Sequence, residues 1–83
     1  MACRLFYFAR AVVRVGGRLQ GGTPLPFVSA QDAEDGGIMI ARLEGAAVAY
    51  QQIGDPEHDL WEEPELLGVF GDLSEDLVLA AVA

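Results

Sequence analysis

From residue 3 to residue 15 the apolar side chains recur at every second position. Leu5, Tyr7, Ala9, Ala11, Val13 and Val15 make one apolar face, which predicts a β-strand. The alternate positions hold Arg4, Phe6, Phe8, Arg10, Val12 and Arg14, so the second face is neither pure core nor pure solvent. Gly16-Gly17 signals a tight turn, with a short hairpin return through residues 18–20. Residues 21–26 read as a loop. Ser29 is a good helix N-cap with Asp32 near the first turn, and the spacing predicts a helix over 30–44. Its inner face is Ala33, Gly36, Gly37, Ile40, Leu43 and Ala47, while Ile38 points away. Two glycines in mid-helix cost roughly 1 kcal/mol each relative to alanine. Close packing on a sheet would explain them; a break in the helix is the competing reading.

Residues 46–53 and 65–70 predict two more strands. In the last, Leu66 and Phe70 face one way and Leu67 and Val69 the other, so both faces need cover. The result is a single-domain α+β fold, β-α-β-β, with one helix on one sheet face. A C-terminal segment or a second subunit would cover the other. Sheet order stays open: the first two long strands pair in parallel through a crossover, or the last strand lies between them in an antiparallel sheet. Residues 72–76 read as a turn with Ser74 as a cap, and the tail 77–83 is too short to assign.

Charge changes this picture more than composition does. The 83 residues carry a formal net charge of −8, and 52% of them are hydrophobic, which argues against disorder. Residues 1–31 hold Arg4, Arg10, Arg14 and Arg18 with no acid, hence +4; residues 32–83 hold thirteen acids against Arg42, hence −12. Such a field repels nucleic acid and anionic lipid and attracts basic protein surfaces. Cys3 is the only cysteine, so no internal disulfide forms and a reducing, cytoplasmic setting fits. Arginines interrupt the apolar N-terminus, which argues against a membrane span or a signal peptide.

Six of the thirteen acids fall in residues 55–65, with the only histidine and the only tryptophan. The window reads as a long hairpin loop stiffened by Pro56 and Pro64. As an active site it fails: Glu57 and Asp59 flank His58 and disfavour a free base. Residues 16–23 lack the lysine a phosphate loop needs. The calcium-loop pattern breaks at Leu60 and Leu66, where glycine and glutamate belong. The expectation is therefore a non-enzymatic protein with no catalytic residue, cofactor or dedicated metal site.

What remains is binding. Acids at i and i+2 of an extended strand lie on one side, about 6.6 Å apart, of the order of successive phosphates on a nucleic-acid strand. Glu63 and Glu65 fit that spacing, as do Asp55, Glu57 and Asp59 if extended, and Trp61 adds an aromatic anchor. In its length, its acidity and the cluster Asp55, Glu57, Asp59, Glu62, Glu63 and Glu65, the chain resembles small acidic anti-CRISPR proteins and other phage-borne inhibitors. That resemblance implies occlusion of a basic groove in a host nucleic-acid-binding protein, without direct nucleic-acid or membrane binding. The arginine-bearing first strand departs from an all-acidic mimic. The alternative is a self-associating accessory protein. In it the Arg4, Arg10 and Arg14 face pairs with acids of a sister subunit or of the protein's own third strand. On either reading a homodimer is expected, with Phe6, Phe8, Arg10, Val12 and Ile38 as its self-association residues. Residues 54–72 also resemble a segment of small uncharacterised bacterial proteins.

Overall fold

Strand β1 (Arg4–Val15) turns at Gly16-Gly17 into β2 (Arg18–Gly21) in this computed structural model, which describes residues 3–71. Both turn glycines have positive φ, 58° and 80°, as a two-residue hairpin loop with the twist of its strands requires. Val15 pairs with Arg18 and Val12 with Gly21. A short strand β3 (Leu25–Phe27), where a loop was expected, continues along the same edge of β1, pairing Ala9 with Leu25 and Tyr7 with Phe27. Pro24 and Pro26 hold this segment extended, and Pro26 falls on an edge strand where its missing N–H costs nothing.

The helix α1 (Ala30–Glu44) begins where Ser29 accepts the Asp32 N–H at 3.1 Å. It ends at Gly45, whose φ of 100° lets its N–H reach the Ala41 carbonyl at 2.8 Å. The paired glycines do not break it. Phe70 packs against Gly37, where an added Cβ would lie 2.5 Å from the ring, and the Phe27 ring fills the place of a Gly36 Cβ. Ala33 is fully buried against Ala9 and Ala49. Leu43, expected on the inner face, is instead 78% exposed. It stands beside Ala11, Thr23 and Leu25 over a groove of about 270 Å³ instead of a filled core. Ala47 lies not on the helix but on the strand that follows.

That strand, β4 (Ala46–Asp55), pairs directly and antiparallel with β1, from Arg4 opposite Gly54 to Ala11 opposite Ala47. Its other edge takes β5 (Leu60–Trp61) and β6 (Glu65–Gly71), both antiparallel. Neither expected sheet order holds: β1 and β4 are antiparallel neighbours, and β6 lies outside β4. The reason is β2 and β3, which carry the chain back along β1 before the helix starts. The helix then returns it to the far end, and β4 runs opposite to β1.

The facing of β6 also differs from the regular alternation. Ala49 pairs with Gly68 but Tyr50 with Leu66, so Leu67 is an extra residue in a β-bulge. Leu66 and Val69 consequently share one face with Val12, Val48 and Tyr50. Leu67 and Phe70 turn to the helix with Ala9, Ala33 and Ala49. The α+β class stands: the described residues form one antiparallel sheet with one helix on one face. Ser74, the tail 77–83 and the cover expected from it lie outside the described residues.

Candidate functional site

The acidic window is built around a four-residue turn. Asp55 pairs with Leu60, and Pro56–Asp59 turns the chain between them. The His58 N–H reaches the Asp55 carbonyl at 3.2 Å, and Asp59 takes a φ of 52°, a conformation that aspartate tolerates. The Asp55 side chain is 1% exposed. One carboxylate oxygen accepts the Glu57 N–H at 3.1 Å, and the other meets His58 Nδ1 at 2.7 Å. Asp55 therefore belongs to the turn and not to a solvent-facing row. The alternating Asp55, Glu57, Asp59 series is not extended, so its phosphate-like spacing is not realised. Carboxylates of Asp55 and Glu57 and the His58 ring do lie within 4.8 Å of one another. Hydrogen bonds that close the turn account for this proximity.

Glu57, Asp59, Glu62, Glu63 and Glu65 are exposed. Three of them converge: Glu62, Glu63 and Glu65 line a groove of about 270 Å³ with Leu5, Ile53, Gln51 and Gln52. Leu5 and Ile53 face each other across β1 and β4 and are both exposed. The groove thus joins an apolar wall to three carboxylates. The Glu62 N–H bonds the Ile53 carbonyl at 2.9 Å, and Gln52 Nε2 bonds the Glu62 carbonyl at 2.7 Å, which fixes this connection against β4.

Trp61 turns to the sheet face opposite the helix. It pairs with Gly54, and its ring occupies the place that a Cβ on Gly54 would take. Its Nε1 donates to Asp59 at 3.2 Å. The indole lies 5.4 Å from the Phe6 ring and 6.2 Å from the Phe8 ring, centroid to centroid. Phe8 in turn meets Tyr50 at 5.4 Å. The Arg4 guanidinium stands 5.0 Å over Phe6, a cation–π contact. Burial pushes the Tyr50 phenol up; the nearby Arg10 pulls it the other way without cancelling the shift.

The five residues expected at a dimer interface do not form one surface. Val12 is 3% exposed and belongs to the core with Val48 and Tyr50. Ile38 stands on the helix, with Phe6, Phe8 and Arg10 on the opposite side of the sheet. The aromatic cluster itself went unread because Gly54, Tyr50 and Gln52 look like ordinary strand residues. The buried role of Asp55 had a signal: aspartate followed by proline, with a free N–H two residues on, is the pattern of an Asx-turn.

No family model, curated protein or solved structure matches this chain. No helix among the described residues is long and apolar enough to cross a membrane.

Proposed function

We propose that this protein is a non-enzymatic acidic inhibitor that binds a basic, nucleic-acid-binding surface of a partner protein in the cytoplasm. The observation that carries the reading is the convergence of Glu62, Glu63 and Glu65 on one groove walled by Leu5 and Ile53. Arginine and lysine side chains join an apolar stem to a charged head, and this groove offers a surface for each part. Glu57 and Asp59 are exposed on the adjoining turn, and the net charge of −8 steers a basic partner toward the protein. The resemblance to acidic phage-borne inhibitors points the same way and names the partner class.

Affinity capture from a bacterial lysate, run with wild type and the E62R/E63R/E65R variant, tests the proposal. Wild type should retain a nucleic-acid-binding protein at about 50 mM salt and lose most of it by about 300 mM. The variant, with its circular dichroism unchanged, should retain none. Equal retention by both proteins would sink the reading.

A further inference from the structure

The sheet face opposite the helix holds a second groove, of about 490 Å³, lined by Phe8, Arg10, Pro24, Tyr50, Gln52 and Trp61. We propose that this groove is a binding site for a small planar aromatic ligand carrying one negative charge. The proposal stands apart from the acidic groove and does not depend on it.

The walls select an aromatic ring. Phe8 and Tyr50 are partners across β1 and β4, with ring centroids 5.4 Å apart and planes tilted by 32°. Trp61 closes one end, its ring steeply inclined at 65° to Phe8. A flat ligand meets the half-buried Phe8 ring, backed by the buried Tyr50, and the exposed indole at the side, in the arrangements aromatic pairs favour. Pro24 adds a rigid apolar edge.

Arg10 selects the charge. It lies two residues from Phe8 on the same face of β1. Its Nε is buried and has no hydrogen-bond partner among the described residues, while the guanidinium neighbours the Tyr50 hydroxyl. Its guanidinium packs over Gly21, where an added Cβ would lie 2.6 Å from Nε, so only glycine leaves it this place. The half-buried guanidinium is part of the groove's lining, and a carboxylate pairs with such a cation in the strong, charge-assisted form. Gln52 supplies the remaining polar group. Its Nε2 is committed to the Glu62 carbonyl, which leaves Oε1 to accept from a ligand donor.

Size and field restrict the ligand further. The volume lies within the usual range of about 300–1,000 Å³ for small-molecule sites. A polynucleotide would need several phosphate contacts, and a lysine-free chain of net charge −8 opposes them. A monoanion small enough to sit between Trp61 and Arg10 meets that field only once.

Isothermal calorimetry with 2-naphthoate and its neutral counterpart 2-naphthamide tests the site, with backbone amide NMR shifts to locate binding. The expected result is saturable naphthoate binding, naphthamide about tenfold weaker, and shifts centred on Phe8, Arg10, Tyr50, Gln52 and Trp61. Arg10→Gln should abolish the preference for naphthoate while leaving naphthamide binding. Trp61→Ala should weaken both ligands alike, which keeps the site testable if the arginine variant fails to fold. Absence of saturation by about 2 mM naphthoate would overturn the proposal, given that a site worth about 4 kcal/mol would show by then. Equal affinity for the two ligands, or shifts centred elsewhere, would overturn it as well.

Discussion

His58 Nδ1 lies 2.7 Å from a carboxylate oxygen of Asp55 that is almost wholly withdrawn from solvent. Half the acidic window is thereby organised around a single internal acid. Removing it should cost more than removing any of its exposed neighbours. Asp55→Ala leaves the Glu57 N–H and the His58 ring without their acceptor, and should lower stability by about 1–3 kcal/mol. Asp55→Asn, which still accepts the Glu57 N–H, should cost less. Urea midpoints of the two variants and of Glu62→Ala check the order. If Asp55→Ala and Glu62→Ala match, the turn does not depend on this contact.

Gly37 is the place where helix propensity and packing oppose each other. Alanine there gains about 1 kcal/mol of helix propensity on an exposed site. Here its Cβ would lie 2.5 Å from the Phe70 ring. Overpacking of this kind costs about 1–3 kcal/mol, so Gly37→Ala should be destabilising on balance. Adding Phe70→Leu should recover part of the loss, and a double-mutant cycle by chemical denaturation reads the coupling. Additive effects would refute the contact.

Gly54 should behave in the same way toward Trp61. Gly54→Ala puts a methyl group where the indole lies, so the ring must leave the Phe6 and Phe8 cluster. The expected outcome is a red shift of the single tryptophan's emission and a stability loss of about 1–3 kcal/mol. An unchanged spectrum would mean that the indole does not lie over Gly54.

Tyr50 gives the protein a weakness at alkaline pH. Its folded pKa is raised above the ordinary 10.0 chiefly by burial. Below pH 10 both folded and unfolded chains keep the proton, and stability is undiminished. As pH rises past 10 the unfolded chain releases it first, so stability falls until the folded pKa is passed. Tyr50→Phe should flatten this alkaline decline relative to wild type. Urea midpoints between pH 8 and pH 11 decide it, and parallel curves would exclude the effect.

The helix start was legible because Ser29 acts locally, within one turn of the residues it caps, while the Gly45 cap that ends the helix is seen in the structure. The long strands were legible from their apolar patterns, while the short β3 and β5 fall where loops were expected. Such patterns say which way a side chain points and not which strand lies beside it. The antiparallel pairing of β1 with β4 depends on β3, a segment that Pro24 and Pro26 disguise as loop. Residues 66–70, Leu-Leu-Gly-Val-Phe, are apolar in either phase, so their pattern carries no mark of the extra Leu67. The acidic window was located, but charge alone does not separate the buried Asp55 from the exposed Glu62. The aromatic groove depends on Trp61 crossing the bare Cα of Gly54, a contact set by register and invisible to spacing.

Leu67 also decides on which side of the protein the charge emerges. With the bulge, Phe70 stays opposite Ala47 while Glu65 comes opposite Gln51, on the side of Leu5 and Ile53. Without it, every residue ahead of position 67 would slide by one place relative to β4. Glu65 would then come opposite Gln52 and point toward Phe8 and Trp61. One unpaired leucine thus keeps the Glu65 carboxylate away from the arginine-bearing groove, and two different surfaces share one thin sheet.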